Sequence, residues 1–145
     1  MVYRPTTEIQ NYFETEGIRS AISETEAFSY VSAGFTGENV ANLNVRFISR
    51  ADDECDVFTS SIVRVPADRA GAVLQVLNEA HNQFRFIRFR MDSDRDVFAT
   101  YSMPSSTPME SYGPMAKEIF IRFVSIIEKV YPNIMRACFS EFVIP

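Results

Sequence analysis

Alternating apolar and polar side chains predict five strands in this chain. In residues 40–50, Leu43, Val45 and Phe47 alternate with polar residues, which is typical of a strand with one buried face. The other predicted strands are AFSYVSAGF (27–35), VFTSSIVRV (57–65), FRFIRFRM (84–91) and VFATYSM (97–103). Because short turns separate consecutive strands, we expect them to pair as antiparallel hairpins.

Helical spacing predicts a helix before the first strand and another after the third. The first helix begins at an N-cap formed by Thr6 or Thr7 and ends at Gly17. A polar connection, RSAISETE (19–26), follows it. The second helix covers residues 66–83, with proline in its first position and its apolar residues on one side.

The last predicted helix, from Met115 to Tyr131, is apolar over most of its circumference. Nearly all of its other residues are apolar beside one narrow polar stripe, which is spaced three or four residues apart and continues past the helix: Glu118, Arg122, Ser125, Lys129, Asn133 and Arg136. Such a helix must be covered on more than one side, by the sheet and by another element or a second subunit. Pro132 is expected to break or kink the helix because proline lacks a backbone N–H donor.

The predicted order of elements is α-β-β-β-α-β-β-α, which is an α+β fold with one antiparallel sheet packed against helices. The length of 145 residues and the 46% hydrophobic content fit a single globular domain over residues 1–145. The N-terminus has no apolar run of signal-peptide type, and no apolar stretch is long enough to span a membrane. We therefore expect a cytoplasmic protein. Cys55 and Cys138 are then expected to be reduced thiols.

The register of the last hairpin defines a candidate contact surface. If residues 92–96 form the loop, Met91 lies opposite Val97, and one face of the hairpin is apolar. The other face carries Arg88 and Arg90, with Phe86 beside them and Arg90 lying over the ring of Phe98. The sequence therefore predicts partner-binding residues on this more open face, joined by an arginine of the second strand: Arg46, Phe86, Arg88 and Arg90.

The sequence contains no recognisable catalytic, cofactor or metal motif. The single histidine, His81, is interpreted as a residue of a helix C-terminal turn, where a positive charge is favourable. The chain has no phosphate-binding glycine loop and no G-x-S-x-G elbow. We therefore predict that it is not an enzyme and binds no cofactor.

Two acidic segments resemble functional sites, one a calcium-binding loop and the other a cluster of catalytic carboxylates. In DSDRD (92–96) the aspartates are spaced as in a calcium loop, but Val97 and Met103 stand where glycine and glutamate are required. The segment is interpreted as a hairpin tip. The carboxylates of ADDECD (51–56) are interpreted as a solvated turn between strands.

Residues 63–103 resemble the central signature of the YbjN domain family, which is described as a family of bacterial sensory transduction regulators. The similar features are a strand ending before Pro66, a helix containing VLQVLN, and two strands joined by an acidic turn. The chain departs from the family in that turn, where a glycine is usual and Asp94, Arg95 and Asp96 stand instead. It also has His81 at the helix end, where a second asparagine is common.

The resemblance implies a fold similar to that of type III secretion chaperones, often dimeric. It further implies a non-catalytic protein that binds another protein or peptide segment, in regulation or chaperone-like service, with a homodimer expected. Two alternatives remain open. One is a small-molecule-binding or enzymatic domain with a pocket between sheet and helices. The other is nucleic-acid binding through the arginines of the sheet, which the net charge of −5 disfavours.

Overall fold

The structure, a computed structural model, describes residues 1–140, which form three α-helices and seven β-strands. The helices are α1 (Arg4–Thr15), α2 (Ala70–Gln83) and α3 (Tyr112–Phe139). The strands are β1 (Ser20–Glu24), β2 (Ser29–Phe35), β3 (Leu43–Ser49), β4 (Asp56–Thr59), β5 (Val63–Arg64), β6 (Arg88–Met91) and β7 (Asp96–Ser102). Short 3₁₀ turns at Ala67–Arg69 and Met109–Ser111 lead into α2 and α3.

The strands form one sheet whose neighbours follow the order β1-β2-β3-β4-β7. β5 and β6 also pair with β7, since Val97 faces Val63 of β5 on one side and Met91 of β6 on the other. β4 and β5 share one edge of β7, so β1 and β6 are the two outer strands. Each of these pairings is antiparallel, which confirms the predicted α+β class with three helices and an antiparallel sheet.

The helices pack on one face of the sheet, with α3 between α1 and α2. Alternate strand residues such as Val45 and Phe47 are buried beneath them, in one core with Ile119, Phe123 and Ile127 of α3. α3 is thus covered by two helices and the sheet, which accounts for its apolar circumference without a second subunit. Within residues 1–140, no helix is both long enough and apolar enough to span a bilayer.

The structure has two strands more than the predicted order. Residues 19–26, predicted as a connection, contain β1, whose side chains are exposed at four of five positions and therefore show no alternation. Residues 57–65, predicted as one strand, are interrupted between β4 and β5. At the interruption the Thr59 hydroxyl accepts the N–H of Ala99 at 2.9 Å and takes the place of a backbone acceptor.

α1 begins at Arg4, so the predicted cap at Thr6 or Thr7 is wrong. Thr6 is buried, and its hydroxyl lies 2.8 Å from Oγ of Ser29 on β2. The backbone N–H of Arg4 instead donates to a carboxylate oxygen of Asp52 at 2.9 Å. A side chain from the β3–β4 turn therefore satisfies a free N–H group at the start of the helix.

α3 continues past Pro132 to Phe139, so of the two predicted effects of this proline, a break or a kink, the break is wrong. The carbonyl of Glu128, which would normally accept the N–H of residue 132, accepts Nδ2 of Asn39 at 3.1 Å. The Glu128 carboxylate also accepts the backbone N–H groups of Asn39 and Val40 at 2.9 and 3.0 Å. The β2–β3 loop thus supplies the donor that the proline lacks and is held on α3.

Candidate partner-binding cleft at the edge of the sheet

The face of the sheet opposite the helices is not covered by any other part of residues 1–140. On β3, for example, Arg46 is exposed between the buried side chains of Val45 and Phe47. We call this surface the open face. It combines aromatic, aliphatic and arginine side chains, which include Tyr30, Arg46, Ile48, Phe58, Arg88, Arg90, Phe98 and Thr100.

The hairpin of β6 and β7 has the predicted register, with Met91 paired to Val97. Arg88 and Arg90 therefore lie exposed on the open face, as predicted. The guanidinium carbon of Arg90 lies 5.8 Å from the ring centroid of Phe98, which is the predicted cation–π arrangement. The DSDRD segment forms the tip of this hairpin.

Arg46 shares the open face with the β6 arginines but lies at a distance from them. Paired residues of β4 and β7 separate it from Arg88. Arg46 and Arg88 are therefore three strand spacings apart, which is about 14 Å. The Arg46 guanidinium carbon instead lies 5.6 Å from the ring centroid of Tyr30. The structure therefore brings Arg88 and Arg90 together and leaves Arg46 apart.

Phe86 is not on the open face, which corrects its predicted position beside Arg88. The sheet pairing of β6 starts only at Arg88, so the alternation does not extend back to Phe86. Its ring instead stacks on Tyr101, with centroids 4.6 Å apart, and meets Phe123 of α3 edge-on at 6.4 Å. The guanidinium carbon of Arg122 lies 4.9 Å from the ring centroid of Phe86, on one face of the ring. Phe86 therefore packs on the helix side of the sheet.

A cleft of about 870 Å³ lies beside β6 and extends onto the open face. It forms where β7 continues beyond the start of β6, at Tyr101 and Ser102. Its walls include Asp56, Phe58, Arg85, Arg88, Arg90 and Thr100. A smaller cavity of about 350 Å³ adjoins it between β6 and α2, and is lined by Leu74, Leu77 and Met91 among others.

The arginines of the cleft have no carboxylate partner in the described part of the chain. Arg85, Arg88 and Arg90 form no ion pair with any residue from 1 to 140. They place positive charge in one cleft of a chain whose net charge is −5. Arg85 was not predicted as a site residue, although its closeness in sequence to Arg88 and Arg90 is a usable signal.

His81 lies at the outer edge of β6, in the last turn of α2. Its Nε2 accepts the backbone N–H of Phe89 at 2.8 Å, so the ring is neutral at that nitrogen. Burial, and then the positive charge of Arg88, lower the pKa of His81. His81 thus accepts a hydrogen bond from one backbone N–H at the edge of the sheet. This role is more specific than the predicted interaction with the helix dipole.

The three aspartates of the hairpin tip bring carboxylate oxygens within 4.8 Å of one another. Two of them already have partners. Oδ1 of Asp92 accepts the N–H groups of Asp94 and Asp96, both at 2.9 Å. Asp96 also pairs with Arg64 at 2.9 Å and accepts the Ser61 hydroxyl at 2.8 Å, and these contacts lower its pKa. The arrangement is that of a hairpin tip, and it does not by itself define a metal site.

The carboxylates of the β3–β4 turn do not converge on His81. Asp52 and Asp53 are exposed, and Asp52 binds the start of α1. The carboxylate that shares the large cleft with His81 is Asp56, which forms an ion pair with Arg50 at 3.1 Å. The acid–base group that the sequence offers is therefore not assembled within residues 1–140.

Comparison with known proteins gives no identification. No protein-family model matches the chain, and no curated protein matches it. The resemblance to the YbjN family stays a prediction.

Proposed function

We propose that this protein is a non-catalytic protein-interaction domain that binds a segment of another protein in the cleft beside β6. The observation that carries the proposal is the open face, where half-buried aromatic rings and unpaired arginines surround a large cleft. Aromatic residues and arginine are the side chains that contribute most to protein–protein binding. Among residues 1–140, no acid–base pair is assembled in the cleft, which favours binding over catalysis.

We further propose that the domain is a cytoplasmic member of the YbjN family, with a regulatory or chaperone-like role. The order of elements supports this proposal, since the type III secretion chaperone fold also packs helices against one antiparallel sheet. The residues of the resemblance, 63–103, include β6 and part of the cleft wall.

A homodimer is part of the proposal. Ile121 and Phe139 of α3 are 54% and 57% exposed and lie on the same side of the helix, about five turns apart. Sedimentation velocity over a wide range of protein concentration should show a dimer that Ile121→Glu dissociates. A monomer at every concentration would remove the dimer from the proposal and leave the cleft unaffected.

The interaction can be tested with a photo-crosslinking amino acid placed in the protein in its native host. Phe98 is the test position because it lies on the open face beside Arg90. Ser125, exposed on α3, is the matched control. We expect irradiation to give a discrete adduct with another protein from position 98. Position 125, one helical turn from Ile121 in the proposed dimer surface, should give at most an adduct with a second copy of this chain.

Three outcomes would contradict the proposed function. No adduct from position 98 would show that the open face has no protein partner in the cell. The same adducts from positions 98 and 125 would indicate random collisions. An adduct with nucleic acid would support the alternative in which the sheet arginines bind phosphate groups.

A further inference from the structure

The outer edge of β6 has backbone groups that no residue from 1 to 140 uses. The N–H of Asp92 bonds the carbonyl of Asp96 across the hairpin, so even-numbered residues of this strand face β7. Phe89 and Met91 therefore point their N–H and C=O groups away from the sheet, and the Phe89 N–H meets His81. The Phe89 carbonyl and both groups of Met91 remain available to an added strand.

The two sides of this edge have different chemistry. On the open-face side, Arg88 and Arg90 are exposed and make no ion pair within the described part of the chain. On the helix side, the smaller cavity is lined by Leu77, Met91 and Leu74, and Leu74 is 52% exposed. A strand added to β6 would present alternate side chains to these two sides.

We infer that the edge of β6 accepts an extended segment of the partner as an additional strand, with acidic residues beside Arg88 and Arg90 alternating with apolar residues beside Phe89 and Met91. The inference rests on the proposed function and specifies the partner's chemistry. We expect acidic residues on the open-face side of the added strand, because the guanidinium groups of Arg88 and Arg90 lie there without an ion-pair partner among residues 1–140. We expect apolar residues on the helix side of the added strand, because the cavity beside α2 has room for their side chains next to Leu74.

His81 limits this binding without preventing it. While Nε2 of His81 holds the N–H of Phe89, the added strand can still bond the Phe89 carbonyl and both groups of Met91. Replacing His81 by alanine leaves the Phe89 N–H for the strand. The variant His81→Ala should therefore bind the partner segment several-fold more tightly, an outcome that loss of folding cannot imitate.

The test is selection of random octapeptides from a display library on the purified full-length protein. We expect the selected peptides to alternate aspartate or glutamate with apolar residues. The strongest peptide is then synthesised, and its affinity is measured by fluorescence anisotropy. The double variant Arg88→Glu, Arg90→Glu should weaken binding about tenfold or more, through loss of two charge pairs and added repulsion.

Two controls separate strand addition from general charge attraction. The variant Arg19→Glu reverses an exposed arginine near the opposite edge of the sheet and should change the affinity less than twofold. N-methylation of the peptide's alternate backbone amides, which removes the donors for the Phe89 and Met91 carbonyls, should weaken binding at least as much as the arginine variant.

The inference is overturned if no peptide is selected, if the selected peptides lack the alternation, or if the double arginine variant binds as well as the wild type. Equal binding of the N-methylated peptide would also overturn it. None of these results decides the proposed function, because the adduct from position 98 reports separately whether the open face has a partner.

Discussion

Arg95, at the tip of the β6–β7 hairpin, has a backbone conformation that favours glycine. Its φ is +64°, and a residue with a side chain pays roughly 1 kcal/mol or more to adopt this region. Its Nε donates to the Val65 carbonyl at 2.9 Å, which ties the hairpin tip to the start of the segment leading into α2. The hydrogen bond thus offsets the backbone strain at Arg95, which lies in the turn where the resemblance predicts a glycine.

The variants Arg95→Gly and Arg95→Ala should differ in stability. Glycine relieves the strain and loses the hydrogen bond, so its free energy of unfolding should stay within about 1 kcal/mol of the wild type. Alanine keeps the strain and loses the bond, and should be less stable by about 1 kcal/mol. Urea unfolding measures both values. A glycine variant less stable than the alanine variant would show that the backbone is not strained here.

His81 should make the stability of the fold depend on pH. Its pKa in the folded protein is below the ordinary value of 6.5, so the unfolded chain binds the proton more tightly. The stability that neutral His81 contributes is present above pH 6.5 and is lost as the pH falls through the lowered folded-state pKa.

Urea unfolding between about pH 8 and about pH 5 measures this effect, with His81→Gln as the control that cannot titrate. The wild type should lose more of its free energy of unfolding than the variant over this range. Parallel losses in the two proteins would show that His81 is equally protonated in the folded and unfolded states.

The residues of the candidate site could be predicted from the sequence as far as the strand pairing extends. Arg88 and Arg90 follow from alternation, because a strand with one buried face fixes where every second side chain points. Phe86 was misplaced because alternation does not reveal where pairing begins. The contact between His81 and Phe89 depends on how α2 lies over β6, which no local pattern determines.

At the scale of whole elements, α3 and the β2–β3 loop stabilise each other. Glu128 accepts two backbone N–H groups of the loop with its carboxylate, and its carbonyl accepts the side chain of Asn39. Gly37 lies against the same carboxylate, so closely that a Cβ atom there would collide with it. The loop is thereby fixed at one end of the sheet although its residues are largely exposed.

The variant Glu128→Ala should lower the free energy of unfolding by about 1–2 kcal/mol, because it leaves two loop N–H groups without their charged acceptor. Glu118→Ala, which removes an exposed pair with Arg122 on the same helix, is the matched control and should cost about 0.5 kcal/mol or less. Amide exchange of Asn39 and Val40 should accelerate only in the first variant. Equal effects of the two substitutions would show that the loop is held by other contacts.

The elements that the sequence predicted well are those with a buried face. β3, β6 and β7 bury alternate residues and carry a clear signal, whereas β1 buries almost nothing and was predicted as a connection. Local sequence predicts a break or kink at Pro132 because the compensating donor, Asn39, lies far away in the sequence. Such a long-range partner exists only once the chain has folded.

At the scale of the whole molecule, both cysteine thiols are buried in the core. Cys55 is fully buried, and burial raises its pKa to about 12. Cys138 is 2% exposed, and burial raises its pKa as well. Neither group forms an appreciable thiolate near neutral pH, so neither is a reactive cysteine.

A thiol reagent such as Ellman's reagent should therefore label the native protein very slowly at about pH 8 and should label both cysteines at once in concentrated urea. The labelling rate of the native protein then reports how often the core opens. Rapid labelling of one thiol in the native state would show that the core is open near Cys55 or Cys138.

The one-sided construction of the sheet also makes the protein suitable as a scaffold. The helices and the buried strand faces supply the packing, while Arg88, Arg90 and Phe98 project from the other side. Substitutions on the open face therefore remove little buried surface, and most should leave the molecule folded. A combinatorial library randomised only at these positions would consist largely of folded proteins, from which binders of different specificity could be selected without redesigning the core.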